Sequence, residues 1–395
     1  MKRLTAVCCA LALFAMAGML QFARGASSEF DAKKAFSEAP FYVYPQAGEV
    51  ADLDVLKTIV DTRVEEGDNP RILMGSSELD LVEPNSSHPT IFFGEHNYGF
   101  DTVSVGKAGY QSLWQAMEIG ALDQVDAVPD DKVALIVGMQ WFMGDGCTTE
   151  AFLNSFSEDA YRACMENPRI SQETKDAITA RSVELGKQRS DLERLSSDFL
   201  PDRIDEMVFG VIDGAENKAE LEAAVSDNTP IPVGRFGDPS DPDWDALMEL
   251  SIAEGEEACT TNDIGVYDEY YEEYFIPWIE EADSEPKPES FTEWSQKELG
   301  DFKLYLQVCR ETGIEPLIVI MPVKAAYYDH TEYDYESRQL YYEMIRSACD
   351  EFGVEYVDCS GYEYDTYYMR DVMHFGWTGW VHVDQALYEF FGGGK

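Results

Sequence analysis

The sequence predicts an α/β fold, a doubly wound parallel sheet of about five strands with a largely helical insertion. Five short runs are continuously apolar rather than alternating, which is typical of strands covered on both faces. Helical patterns separate most of these runs, as in successive β-α units. Strand patterning disappears between the third and fourth runs, which indicates the insertion. The predicted strands are Arg71–Gly75, Thr102–Gly106, Val133–Val137, Leu317–Met321 and Glu355–Asp358.

Apolar residues that recur every three or four positions predict the helices between and after the strands. The pattern is clearest near the end of the chain, where one apolar stripe precedes the final glycines. The predicted helices are Gln111–Val125, Phe291–Thr312, Tyr341–Phe352 and Trp377–Phe391.

These patterns divide the chain after residue 25 into three segments. Residues 26–143 and 291–395 form the two parts of the α/β domain, and residues 144–290 form an acidic helical insertion. The insertion is expected either to cover the functional site as a lid or wall, or to pack as an appendage without contact to substrate. The sequence leaves both possibilities open.

Residues 1–25 have the composition of a targeting segment. Met1-Lys2-Arg3 precedes an apolar run from Leu4 to Leu20, and the next cation is Arg24. This pattern indicates either a cleaved signal peptide or a short membrane anchor. We therefore expect the protein outside the cytoplasm, attached to the membrane by its N-terminal segment or secreted if that segment is cleaved.

The charge balance argues against one class of partner. The 395 residues include 76 acidic and 29 basic side chains, which gives a net charge of −47. No basic face is available for phosphate binding, so nucleic acid is not an expected partner. A solvated acidic surface is the simplest interpretation of the charge.

The cysteines do not predict a metal site. Six cysteines lie beyond the leader, none in a C-x-x-C pair and none beside histidines at ligand spacing, so we expect neither zinc nor another cofactor. Disulfides and buried free thiols are both compatible with this pattern.

Two motifs near opposite ends of the chain point to serine chemistry. Gly75-Ser76-Ser77-Glu78-Leu79 follows the first predicted strand, at the edge where such sheets bind ligands. A serine nucleophile needs a base and a carboxylate that orients the base. Of the five histidines, His374 alone has an aspartate three residues before it, Asp371. The alternatives are a helix N-cap for the serine motif and an incidental surface ion pair for Asp371 and His374.

The chain resembles the family of the D-alanyl-lipoteichoic acid biosynthesis protein DltD, an SGNH-like family. The resemblance implies an SGNH-like sheet, with Ser77 as the nucleophile and Asp371 and His374 as its partners. Its motifs cover most of the chain from about position 70 onward. The matching stretches are Ile72–Leu79, His88-Pro89, Gly109–Leu113, Gln140-Trp141-Phe142, Phe152–Glu158, Ile318–Val323, Tyr328-Asp329 and Asp371–Trp380.

Acyl transfer also needs hydrogen-bond donors for the developing oxyanion. The chain has no Gly-x-Asn-Asp block, so we expect Gln140, at the end of the third strand, to replace that asparagine side chain. Gly109 is expected to supply a backbone N–H, and Trp141 and His88 complete the expected oxyanion and substrate-binding set. A strand-end glutamine satisfied by the backbone is the alternative for Gln140.

The resemblance implies serine-dependent acyl transfer in the D-alanylation of teichoic acids. Ser77 would carry the D-alanyl group to a polyol hydroxyl of lipoteichoic acid, and a membrane-bound O-acyltransferase would supply the donor. An SGNH O-acetyl esterase or transferase on cell-wall glycans and a non-catalytic scaffold are the alternatives. Because the D-alanyl group carries an ammonium, we expect an acidic cleft that attracts it, with a less acidic channel for the polyanionic acceptor.

Overall fold

The structure is a computed structural model that describes residues 53–80 except 66 and 68, and residues 85–196, 240–284 and 288–392. The predicted leader, residues 1–25, lies outside these ranges. Within them, no helix combines the length and the apolar character that crossing a membrane requires.

A five-stranded sheet forms the centre of the fold, with all neighbouring strands parallel and in the order β2-β1-β3-β4-β5. This arrangement confirms the α/β prediction, and each strand lies within two residues of its predicted bounds. In register, Ile72 of β1 pairs with Val103 of β2 on one side and with Val133 of β3 on the other. The strands are β1 (Pro70–Met74), β2 (Asp101–Val105), β3 (Lys132–Val137), β4 (Glu315–Ile320) and β5 (Glu355–Asp358).

Helices cover both faces of the sheet. Within the described ranges they are α1 (Leu53–Glu65), α2 (Pro89–Glu95), α3 (Ser112–Gln124), α4 (Thr149–Ser155), α5 (Glu158–Glu166), α6 (Gln172–Glu184), α7 (Arg189–Leu195), α8 (Trp244–Ala258), α9 (Ile276–Ser284), α10 (Gln296–Thr312), α11 (Ala325–Tyr328), α12 (Tyr335–Phe352) and α13 (Trp377–Phe391). A helical turn, Asp268–Tyr270, and a π-helical turn, Tyr271–Phe275, lead directly into α9.

Successive strand residues enter two separate hydrophobic cores. Ile72 and Met74 of β1 pack into the core formed with α3 and α10, whereas Leu73 packs into the core formed with α2 and α13. Burial on both faces explains why the strand runs are continuously apolar.

Two predicted helix starts were wrong, and side-chain caps explain both. The helix predicted from Phe291 begins at Gln296, because the Ser295 hydroxyl accepts the backbone N–H of Glu298 at 3.2 Å. The helix predicted from Tyr341 begins six residues earlier as α12, where Asp334 accepts the backbone N–H of Ser337. The apolar stripe identified the buried face of each helix but not its first turn.

The strand order reverses at β1, which lies between β2 and β3. In doubly wound sheets, ligands bind at this reversal, beyond the carboxyl ends of the strands. Ser77 follows β1 and Gln140 follows β3, so both residues lie at this edge.

The six cysteines beyond the leader are free thiols, and all are buried. Burial raises the pKa of Cys164 to about 12, so this thiol stays protonated at neutral pH. Of the two possibilities left by the sequence, the structure therefore supports buried free thiols. The described residues contain no cluster of His, Cys, Asp and Glu that could hold a metal ion.

Candidate active site

The structure brings Ser77, His374 and Asp371 into one hydrogen-bonded chain. Ser77 Oγ lies 2.8 Å from His374 Nε2, and His374 Nδ1 lies 2.7 Å from Asp371 Oδ2. Both distances are within hydrogen-bond range, and the order of groups is that of a nucleophile, a base and an orienting carboxylate. Ser77 and His374 are both half-buried.

Hydrogen bonds within the loop that carries Asp371 and His374 hold its shape. Asp371 Oδ1 accepts the backbone N–H groups of Met373 at 2.7 Å and His374 at 2.9 Å. The backbone N–H of Arg370 donates to the His374 carbonyl at 3.0 Å, so the turn closes on itself. These bonds fix the imidazole before any substrate arrives.

Two glycines after this loop explain part of the motif that carries the resemblance. A Cβ atom on Gly376 would lie 2.5 Å from the Tyr367 carbonyl oxygen, and one on Gly379 would lie 2.3 Å from that of Tyr368. Both distances are too short for any side chain, so glycine is required where α13 approaches the loop.

The charge state of Asp371 suits its position. Burial alone would favour the neutral acid, but His374, through its charge and hydrogen bond, and then Arg370 outweigh it. Arg370 Nε lies 3.5 Å from Asp371 Oδ2. Together they hold the pKa of Asp371 at about 2, so its carboxylate is ionised at neutral pH.

The serine motif forms a tight 3₁₀ turn rather than a capped helix. Ser76 donates its hydroxyl to the Lys107 carbonyl at 3.2 Å, and the Gly75 carbonyl accepts Gln115 Nε2 at 2.7 Å. Glu78 is buried beneath the turn, where its Oε1 accepts the backbone N–H of Ser76 at 2.7 Å. Sequence reasoning missed both Glu78 and Gln115; a carboxyl adjacent to the nucleophile was the available signal for Glu78.

The loop after β2 is in close contact with the turn that carries Ser77. Gly106 has a φ of +147°, and a Cβ atom there would lie 2.1 Å from the Gly75 carbonyl oxygen. Only glycine permits this approach. Three residues further on, Gly109 is exposed with a φ of +86° and open space around its α-carbon. A substrate can therefore approach the Gly109 backbone.

Gln140 lies in the 3₁₀ turn after β3, with its amide folded over Gly138. Its Oε1 is buried and accepts no hydrogen bond from the described residues. The amide group thus has hydrogen-bonding capacity that the described part of the fold does not use. Oε1 is an acceptor, so it can take a hydrogen bond only from a donor, whereas an oxyanion needs the Nε2–H groups of the same amide.

Trp141 and His88 are both more deeply buried than the other predicted site residues. The Trp141 side chain belongs to the larger core, and its carbonyl accepts Gln111 Nε2 at 3.2 Å. His88 Nδ1 accepts the Thr90 backbone N–H at 3.3 Å, which caps α2, and its ring lies 4.8 Å from that of Trp380. Burial lowers the pKa of His88 to about 3, so the imidazole is neutral. These contacts hold Trp141 and His88 in the interior, where both support the elements that carry the site.

A cavity of about 310 Å³ opens beside His374. Five of its nine lining residues come from the predicted insertion, which therefore forms a wall next to the triad. Asp371 is the one acidic residue among the nine, so the cavity walls are aromatic and apolar, not acidic as expected. The lining residues are Val266, Tyr270, Tyr274, Phe275, Trp278, Asp371, Val372, Met373 and His374.

Comparison with known proteins places this architecture in one family. Protein DltD of Bacillus subtilis (strain 168) is 28% identical over 336 residues, covering 82% of each chain. Protein DltD of Staphylococcus aureus (strain NCTC 8325 / PS 47) is 25% identical over 337 residues and 84% of each chain. Protein DltD of Lacticaseibacillus rhamnosus is 24% identical over 370 residues. The sequence model described as DltD protein matches residues 52–392, and the chain therefore belongs to the DltD family.

Proposed function

We propose that this protein transfers D-alanyl groups, through an ester on Ser77, to polyol hydroxyls of teichoic acid. The observation that carries the proposal is the hydrogen-bonded chain from Ser77 through His374 to Asp371. Membership of the DltD family supports a role in teichoic acid D-alanylation, as the resemblance implies. The triad supports serine acyl transfer as the way in which that role is carried out.

In the first half-reaction, Ser77 Oγ attacks the carbonyl carbon of an activated D-alanyl ester while His374 Nε2 takes the hydroxyl proton. Asp371 keeps Nδ1–H directed at its carboxylate and stabilises the imidazolium. The tetrahedral intermediate collapses with cleavage of the bond to the donor oxygen, which receives the proton from His374. The product is D-alanyl-Ser77 and a free donor alcohol.

In the second half-reaction, a polyol hydroxyl of the acceptor takes the place of the donor alcohol. His374 accepts its proton as the hydroxyl oxygen attacks the D-alanyl carbonyl carbon. Collapse of this intermediate breaks the bond to Ser77 Oγ, which recovers the proton. The same base serves both steps, and no metal or organic cofactor enters the scheme.

Gln140 and Gly109 are our candidates for stabilising the oxyanion. Both lie at the sheet edge that carries Ser77, where Gly109 offers a backbone N–H and Gln140 offers the Nε2–H groups of its amide. In this scheme Trp141 and His88 act through the elements they support, and not by touching substrate.

The family and the sequence support the surroundings that we propose for the reaction. In this proposal the protein lies outside the cytoplasm, attached to the membrane through residues 1–25 or secreted if that segment is cleaved. Lipoteichoic acid, a polyol-phosphate polymer, is the proposed acceptor. A membrane-bound O-acyltransferase is the proposed source of the donor ester.

Alkali-labile D-alanine in cell envelopes tests the proposal. A strain that lacks this gene is complemented with the wild-type chain or with Ser77→Ala at matched protein level. We expect the wild-type chain alone to restore D-alanine. Restoration by both chains would favour a scaffold. D-alanine that is unaffected by the deletion would instead favour an O-acetyl esterase or transferase, which hydrolysis of a chromogenic acetate would then report.

A further inference from the structure

The cavity beside His374 has a wall of aromatic rings from one helical run. Tyr270, Tyr274, Phe275 and Trp278 all line it. Phe275 is buried, but Tyr274 keeps 42% and Trp278 38% of its surface exposed. Large rings that stay this exposed beside reacting groups are candidates for substrate contact.

This wall is attached directly to the loop that carries Asp371 and His374. The backbone N–H of Tyr267 donates to the Arg370 carbonyl at 2.8 Å, one residue before Asp371. From Tyr267 the helical run continues through the π-helical turn, with ring centroids 6.2 Å apart for Tyr270 and Tyr274 and 5.9 Å apart for Tyr274 and Trp278. The rings therefore form a continuous row that begins next to the loop of Asp371 and His374.

The chemistry of the wall favours a small cation over a neutral group. Aromatic faces attract ammonium groups, with tryptophan the strongest. The exposed Glu273 accepts a hydrogen bond from the Tyr274 side chain, so one carboxylate lies next to this ring.

We propose that Tyr274 and Trp278, whose ring centroids lie 5.9 Å apart, bind the ammonium of an aminoacyl ester while its carbonyl lies at Ser77, with Tyr270 extending the same wall. This inference rests on the proposed acyl transfer and adds what selects the acyl group. The row makes the enzyme specific for acyl groups with a protonated amine next to the carbonyl. A neutral acyl group of the same shape gains only apolar contact.

Two methyl esters of equal size separate charge from shape. D-alanine methyl ester carries an ammonium where methyl isobutyrate carries a methyl group. The full-length protein in detergent is assayed for kcat/KM on both, and the readout is the ratio of the two values. We expect Trp278→Leu and Tyr274→Leu each to lower that ratio roughly three- to tenfold. Tyr274→Phe keeps the ring, so it should keep the ratio.

Tyr335→Leu removes an exposed tyrosine outside the cavity and is the matched control. The inference is overturned if the leucine variants at 274 and 278 leave the ratio unchanged. It is also overturned if Tyr274→Phe lowers the ratio as much as Tyr274→Leu does. A larger effect of these variants on an octanoyl ester overturns it as well, because the cavity would then bind an acyl chain. If the wild-type chain turns over neither ester, their competition against fluorophosphonate labelling of Ser77 gives the ratio of their dissociation constants, which is then the readout for the same variants.

Ser77→Ala distinguishes a failure of the proposed acyl transfer from a failure of the proposed ammonium recognition. If Ser77→Ala still turns over the esters, the proposed acyl transfer itself is wrong. If Ser77→Ala abolishes turnover while the leucine variants leave the ratio intact, acyl transfer stands and only the aromatic recognition of the ammonium fails.

Discussion

Glu78 Oε1 accepts the backbone N–H of Ser76 at 2.7 Å, across the turn that presents Ser77. The Glu78 side chain is buried, and burial raises the pKa of its carboxyl despite the nearby backbone donors and the charges of His374 and Arg370. A buried carboxyl thus fixes the nucleophile turn, in a chain that lacks the glycine-flanked serine elbow of other hydrolases.

Replacing Glu78 separates its hydrogen bond from its charge. Glu78→Gln keeps an acceptor for the Ser76 N–H and should retain most of the stability. Glu78→Ala leaves that N–H buried without its acceptor, at a cost of about 1–3 kcal/mol in the free energy of unfolding. Urea unfolding measures both variants. Equal losses in Gln and Ala would show that the charge, and not the hydrogen bond, holds the turn.

The two serines of the motif are expected to differ sharply. Ser77 Oγ contacts His374, whereas Ser76 Oγ donates to the Lys107 carbonyl. Ser77→Ala should lower ester turnover by about 10³-fold or more and abolish labelling by a fluorophosphonate. Ser76→Ala, the matched control, should still be labelled. Labelling that persists in Ser77→Ala but is lost in Ser76→Ala would exchange their roles.

Asp371→Asn is expected to lower kcat by about 10³- to 10⁴-fold, because the amide no longer holds the required imidazole tautomer. The variant should also change stability against pH. The folded-state pKa of Asp371, about 2, lies below the unfolded value of about 3.9. Its stabilisation is therefore complete above pH 4 and is lost as the pH falls through 2. Urea unfolding from pH 7 to 2 should show the gap between wild type and variant closing. A constant gap would contradict the assigned pKa.

Gln140→Ala tests the oxyanion assignment. A donor that acts only in the transition state should lower kcat about 10²- to 10³-fold with little change in KM. Gln140→Glu, which keeps the size but loses the amide donor, should be at least as impaired. Steady-state kinetics on D-alanine methyl ester measures both. A rise in KM with kcat preserved would instead assign Gln140 to ground-state binding.

Asp384, in α13, is buried, and neither carboxyl oxygen has a hydrogen-bond partner among the described residues. Burial raises its pKa well above the usual value. The folded state thus keeps a proton that the unfolded chain releases above about pH 3.9, so this group costs stability as pH rises. Asp384→Asn should stabilise the fold more at pH 7 than at pH 4, as read from urea unfolding. A gain that does not depend on pH would contradict this view.

The sequence predicted β1 to β4 well because both faces of these strands are buried, whereas β5 is exposed or half-buried along its length. Burial leaves the same apolar signature in β1 as in β4, and β5 begins and ends at its predicted residues. The contact between Ser77 and His374 was also predictable, since parallel strands bring their carboxyl ends to one edge. The catalytic role of that contact stays a prediction.

The aromatic wall could not be predicted from the sequence. Tyr270, Tyr274 and Trp278 lie about a hundred residues before the loop they approach, and their spacing is equally compatible with a core-facing stripe. The backbone bond from Tyr267 to Arg370, which directs the run toward the triad, has no side-chain signature. The structural role of Glu78 was missed for a related reason. Charged residues are mostly exposed to solvent, so the sequence does not indicate that this one is buried.

The separation of 297 residues between Ser77 and His374 has a consequence for synthesis. During translation Ser77 is synthesised early and His374 late. For most of translation Ser77 therefore has no base to take its proton. An incomplete chain therefore carries an inert hydroxyl. We expect Ser77 to become reactive only after α13 has packed on the sheet, when folding of the whole domain is complete.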